Sequence, residues 1–165
     1  MNPLTSLVDR YGHSMRQFVK FGLIGGAGVV VNMLTVAVSH NIGFHVFGAA
    51  DSDPFWRIPG TPYSVRNYHV YAIIAFVVAN LFNFVWNRYW TFRDEARAPF
   101  WKEFGPFLLV GSAAQFVGLV ILTLLQNPSS PLFLGHPFFT SDGPAYTKRL
   151  YWAQFIQIVA VMPIN

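Results

Sequence analysis

The run Ala79 to Arg93, ANLFNFVWNRYWTFR, closes a long apolar segment and sets Asn80, Asn83, Asn87, Arg88 and Arg93 among phenylalanine, valine, tryptophan and leucine. At 3.6 residues per turn, Asn80, Asn83 and Asn87 share one helical face at i, i+3 and i+7, while Phe82, Val85, Trp86 and Tyr89 cover the remainder. A greasy rod with a single stripe of amides fits a membrane helix whose polar side meets a neighbouring helix, a substrate path or a partner. The segment from Tyr68 to Trp90 is long enough, roughly 33 Å at 1.5 Å per residue, and Tyr68, Tyr71, Tyr89 and Trp90 stand at its ends as aromatic belts.

Composition agrees with that placement. Of 165 residues, 53% are hydrophobic, 18% aromatic and 11% charged, against about 25% charged in soluble domains. A soluble domain of this size needs a polar exterior that so few charges cannot supply. Without cysteine, disulfides, thiolate metal sites and cysteine nucleophiles are excluded. The net charge of +4 fits basic loops facing anionic lipid rather than nucleic acid, and no nucleic-acid partner is expected.

Four crossings are expected. Phe18 to about Val38 is interrupted only by Lys20, Asn32 and Thr35, close to the ~20 apolar residues that span hydrocarbon. The second is 68–90, the third about 104–125 with Gln115 as its main polar residue, and the fourth starts near Leu150, carries Gln154 and Gln157, and reaches Asn165 after about 24 Å of helix. That last span is expected to be cut short. Residues 1–17 form a polar, basic lead-in expected to be cytoplasmic or to lie on the membrane surface, and 18–165 the transmembrane domain. Residues 39–67 and 126–149, rich in proline, glycine and aromatics, are expected as long loops lying at the interface.

Lysine and arginine set the orientation. Arg10, Arg16, Lys20, Arg88, Arg93, Arg97 and Lys102 flank one side, whereas the two long loops hold only Arg57, Arg66, Lys148 and Arg149. Both termini are therefore expected in the cytoplasm, with the long loops outside. An internal repeat supports paired hairpins: FVKFGLIGGAGVV from Phe18 lies on FGPFLLVGSAAQF from Phe104, and AFVVANLFN ending at Asn83 lies more loosely on QIVAVMPIN ending at Asn165. The fold class is thus an all-α membrane protein of four transmembrane helices arranged as two parallel hairpin repeats.

The glycine-rich first span after a basic lead-in, the NFVWNRYWTFR end of the second, the repeat and the four-span layout resemble the GtrA-like membrane proteins. The resemblance covers roughly residues 16–38, 69–126 and 150–165; the long outer loops and the short fourth span depart from it. It implies a small protein of the bacterial inner membrane, active in cell-surface polysaccharide or cell-wall glycan synthesis, that flips polyprenyl-phosphate-linked sugars beside a membrane glycosyltransferase. Asn83, Phe84, Asn87, Arg88, Trp90, Thr91 and Phe92 match the family motif, with Asn32 at the polar site of the first span.

A lipid that carries phosphate and sugar needs a cation for the one and amides for the other. Arg88, with Arg93 beside it and Lys20, would hold the phosphate. Asn80, Asn83, Asn87, Asn32, Gln115, Gln154 and Gln157 would line the sugar's path. The plainer reading makes Arg88 a headgroup anchor, and the amides interhelical hydrogen bonds worth about 0.6–2 kcal/mol each. The glycines of span 1, including the Gly22/Gly26 GxxxG pair, are expected to pack helices.

Asp51 and Asp53 form a DxD on the side away from nucleotide sugars, and His13, His40, His45, His69 and His136 have no ligand spacing, so neither metal nor other cofactor is expected. No acid lies within a span and no catalytic constellation is present, which argues against an enzyme. Four spans are few to enclose a lipid-linked sugar, so a homo-oligomer or a groove open to membrane lipids is expected. The rival readings are a non-transporting adaptor that recruits a glycosyltransferase, and a small-solute exporter.

Overall fold

The computed structural model describes residues 3–93 and 98–162, with side chains from Met15 onward. Helix α1 (Pro3–Phe47) leads into a hairpin of β1 (Pro54–Arg57) and β2 (Ser64–Arg66); α2 (Asn67–Trp86) then passes into a π-helical turn (Asn87–Thr91). Helix α3 (Phe100–Gln126), a 3₁₀ turn (Ala145–Thr147) and α4 (Arg149–Val161) follow.

Three stretches, Met15–Phe47, Asn67–Thr91 and Phe100–Gln126, are long and apolar enough to cross a membrane. They enclose the first three expected spans. Of the fourth, expected to be cut short, α4 supplies 13 residues among those described, fewer than the ~17 of a crossing helix. Asn165, on which the repeat's second motif falls, lies outside the described residues, as does Arg97 among the flanking cations.

Helix α1 also overruns its expected limits. It passes without a break through residue 17, so lead-in and span are one helix, and it continues nine residues past Val38. Residues 39–47 hold no proline, and their glycine, Gly43, sits flush against the Tyr71 hydroxyl, where a methyl group would not fit. The helix ends at Gly48, whose φ of 63° is the left-handed conformation glycine adopts at no steric cost; the Ala49 N–H then bonds back to the Gly43 carbonyl at 3.0 Å. The remainder of the expected loop is not irregular either, since β1 and β2 pair antiparallel with Arg57 opposite Ser64.

The helices form a ring of antiparallel neighbours. Gly28 and Gly43 of α1 meet Asn83 and Tyr71 of α2, and Gly111 and Thr123 of α3 meet Asn80 and His69 of α2. Gly118 of α3 meets Gln157 of α4, and Asn32 and His40 of α1 meet Gln154 and Lys148 at the other side of α4. Alternating direction puts the start of α1 beside the start of α3, and both β strands at the opposite end.

Small residues make this closeness possible. Ala72, Ala75, Ala79, Ala114 and Ala153 are buried at the contacts, as expected where helices associate in lipid by close backbone approach rather than by hydrophobic burial. The outward surface is apolar: Phe18, Leu23, Val30, Leu34, Leu109 and Phe116 are all more than half exposed. On α1 the buried positions are Ile24, Gly28, Asn32, Val36, His40 and Gly43, a narrow stripe stepping almost always by four. The Gly22/Gly26 pair is exposed with nothing within 4 Å, so among the described residues it packs no helix; Gly28 and Gly43 do.

Candidate functional site

Helical period brings the polar residues of all four helices to the interior of the ring. Asn32, Asn80, Gln115, Gln154 and Gln157 are buried, and Asn83 is half-buried with its carboxamide turned inward. Gln154 donates its Nε2 proton to Asn32 Oδ1 at 2.9 Å, joining α4 to α1. Gln157 reaches Gln115 Oε1 at 3.3 Å, and Gln115 Nε2 lies 3.5 Å from the Ala72 carbonyl, so the chain of amides continues through α3 to α2.

Each of three glycines makes room for one of these amides. A methyl group at Gly28, Gly111 or Gly118 would overlap the carboxamide of Asn83, Asn80 or Gln157 respectively. The seam is therefore built of long polar groups opposite absent side chains, and it is incompletely satisfied. Asn83 Oδ1, Gln154 Oε1 and Gln157 Oε1 are buried without a hydrogen-bond partner, an arrangement that costs about 1–3 kcal/mol per group. What the three atoms share is acceptor character, and a sugar hydroxyl is a donor that would satisfy them.

Below the seam, at the start of α3, the motif takes a shape its spacing did not announce. The backbone widens into a π turn in which Phe92 N–H bonds to the Asn87 carbonyl at 2.9 Å, and Thr91 Oγ1 donates to Asn87 Oδ1 at 3.1 Å. Such turns inside α-helices are rare and redirect the side chains they carry. Here Arg88 is turned onto α3: one terminal nitrogen pairs with Glu103 Oε2, the other donates to the Ala98 carbonyl at 2.8 Å, and Nε is buried without a partner. Phe84, Tyr89 and Phe100 surround the guanidinium with ring centroids within 6.0 Å. Lys20 lies over the Trp90 ring at 5.6 Å, and Arg93 is exposed just past the turn.

Of the ten residues proposed from the sequence, six thus meet in the seam: Asn32, Asn80, Asn83, Gln115, Gln154 and Gln157. Asn87, Arg88, Lys20 and Arg93 cluster at one end of it, with Glu103 already holding Arg88. The opposite end holds a constellation that sequence reasoning missed. His40, 5% exposed, has Nδ1 at 2.6 Å from Asp51 Oδ1 and accepts from Lys148 Nζ on Nε2. Beside it, His69 accepts the Arg66 N–H on Nδ1 at 3.0 Å and so presents Nε2–H to Thr123 Oγ1 at 2.8 Å. These groups border a cavity of about 830 Å³. The DxD pair serves this end: Asp51 holds His40, and Asp53 accepts the Ala50 N–H at 2.8 Å. Only the presence of Asp51 and Lys148 in the two long loops hinted at it.

Between seam and cavity lies the apolar core, formed by Val36, Tyr68, Tyr71, Ala72, Ala75, Leu122, Leu125, Leu150 and Ala153. The interior therefore runs from a paired arginine, through amides, to an apolar layer and then a polar cavity.

Residues 62–165 match the family model described as the GtrA/DPMS transmembrane domain, and the chain belongs to that family. The match includes the loop at 126–149, which the motif resemblance left out, and starts after the first span. No curated protein and no solved structure matches the chain. With the family and three apolar helices in hand, this is a multi-pass membrane protein.

Proposed function

We propose that this member of the family flips a polyprenyl-phosphate-linked monosaccharide across the bacterial inner membrane, for cell-surface polysaccharide or cell-wall glycan synthesis. In this reading the chain has both termini in the cytoplasm and crosses the membrane as two parallel hairpins, with α4 completing the second. Arg88, Lys20 and Arg93 receive the lipid phosphate at the cytoplasmic face. Asn87, Asn83, Asn80, Gln115, Asn32, Gln154 and Gln157 receive the sugar. The prenyl tail stays in lipid, against the exposed apolar faces, and no catalytic residue or cofactor takes part.

The observation that carries this reading is the amide seam with its three unpartnered acceptors. Interhelical glue would be expected to pair its members, since an unsatisfied amide in an apolar interior is costly. A transient ligand rich in hydroxyls leaves such acceptors open between turnovers. The Arg88–Glu103 pair fits a gate: an incoming phosphate, a bidentate acceptor like a carboxylate, exchanges with Glu103 for the guanidinium. A homo-oligomer is part of the proposal, and the exposed Gly22/Gly26 face of α1 suits close approach of a second copy.

One observation favours the adaptor reading instead. Arg88 is already neutralised, and Trp86, Tyr89, Trp90 and Trp101 stand exposed around it, as a docking surface for a glycosyltransferase would. Reconstitution separates the two. Purified protein in liposomes should move a labelled polyprenyl-phosphate monosaccharide between leaflets, and Arg88→Ala or Asn87→Ala should slow that movement at least tenfold. Liposomes that move no label, with Arg88→Ala losing only glycosyltransferase binding, would establish the adaptor.

A further inference from the structure

The two long connections carry few cations, and three of the four, Arg66, Lys148 and Arg149, line a single cavity, the fourth being Arg57 in β1. They arrive from three elements, β2, the turn before α4 and α4 itself. This is the end of the molecule opposite Arg88, about 30 Å away along α2 at 1.5 Å per residue.

Their pairing differs from that of Arg88. Among the described residues no carboxylate forms an ion pair with Arg66, Lys148 or Arg149. Arg66 donates to the Ser52 carbonyl. Arg149 donates to the carbonyls of Leu134 at 2.9 Å and Phe139 at 3.1 Å. Lys148 donates to His40 Nε2, whose other ring nitrogen is held by Asp51, so no carboxylate touches the ammonium directly. Three oriented cations around one cavity, held by neutral acceptors, make an anion site.

The rest of the wall narrows the class of anion. Asp51 and Asp142 also border the cavity; two carboxylates oppose a bare polyanion but accept hydroxyl protons. Gln126, whose amide nitrogen is buried without a partner among the described residues, also borders the cavity. The volume, about 830 Å³, falls in the ~300–1,000 Å³ range of small-molecule sites.

We infer that this cavity is a second binding site, for a glycosyl phosphate headgroup, in which Arg66, Lys148 and Arg149 hold the phosphate and Asp51, Asp142 and Gln126 the sugar. The assignment of the ligand as a lipid-linked sugar on its way off the protein rests on the flipping reading; the site itself does not. The apolar layer of Leu122, Leu150, Tyr68 and Tyr71 separates it from the seam, so headgroup in the cavity and headgroup in the seam are distinct states.

The chain has three lysines, Lys20, Lys102 and Lys148, which permits a test on the unaltered protein. The full chain in detergent is treated with an amine-acylating reagent, with and without a hexose 1-phosphate, and acylation at each lysine is read by mass spectrometry. The hexose phosphate should slow acylation of Lys148 at least fivefold and leave Lys102 unchanged. Arg66→Gln should raise the concentration needed for half-protection about tenfold, whereas Arg57→Gln should not. Equal protection by inorganic phosphate at the same concentration would overturn the sugar part, and no protection of Lys148, or an equal loss with Arg57→Gln, would overturn the site. Liposomes that move lipid-linked sugar while Lys148 stays unprotected overturn this inference alone. Protected Lys148 in a protein that moves no lipid overturns the flipping reading alone.

Discussion

A methyl group on Gly28 would overlap the carboxamide of Asn83, whereas one on Gly22 would meet nothing within 4 Å. The two glycines sit six residues apart in the same helix, and composition treats them alike. Overpacking a fitted contact costs about 1–3 kcal/mol, so Gly28→Ala should lower the thermal unfolding midpoint in detergent, and Gly22→Ala should leave it within error. Equal midpoints would mean that α1 and α2 do not meet through Asn83. The shared face of Asn80, Asn83 and Asn87 was legible in the sequence because the helical period alone dictates it. Their partners were not, because Gln154 lies 122 residues from Asn32 and Lys148 lies 108 from His40, and nothing local couples such positions. Glu103 is hidden for a related reason: it lies 15 residues from Arg88, on another helix, and only the fold brings the two together.

Elements show the same division between what is local and what is not. The three long apolar helices follow from run length. The end of α1 was placed too early because the prolines and glycines after Val38 read as punctuation, yet Gly43 lies within the helix and leaves room for the Tyr71 hydroxyl. The connection at 126–149 looks like open loop in the sequence, rich in proline and glycine, but Arg149 ties it down. Its guanidinium takes the carbonyls of Leu134 and Phe139 and lies 4.5 Å from the Phe133 ring centroid. Lysine keeps the charge but not the planar fork or the stacking. Arg149→Lys should therefore speed amide hydrogen exchange between Phe133 and Phe139 by tenfold or more while exchange in α2 stays unchanged; equal exchange in both proteins would show the loop to be held by its other contacts.

At the scale of the whole molecule, alternating helix direction sets the β hairpin against the Arg88 end across the bundle. Absence of native cysteine allows single-cysteine reporters without background. With both termini in the cytoplasm, Ile58→Cys should react with a membrane-impermeant maleimide in intact cells, and Ala98→Cys only after permeabilisation. The reversed pattern would invert the proposed direction of transport. The proposed orientation rests on charge bias in the sequence, because lysine and arginine act on topology independently of tertiary structure; the cavity, which gathers cations from both long connections, required the fold.

The buried stripe of α1 repeats nearly every four residues, and a seam with that period has an inherent ambiguity: displaced by one turn, every residue lands where its neighbour stood. Gly28 and Gly43 remove it. A shift in one direction drives Ile24 against Asn83, and a shift in the other drives Asn32 there, while Gly43 gives way to a side chain against the Tyr71 hydroxyl. One missing side chain near each end of the contact thus acts as a tooth of a key: sliding by a turn must displace the Asn83 carboxamide and the Tyr71 hydroxyl, whereas leaning away displaces neither. A bundle opened by swinging keeps this register.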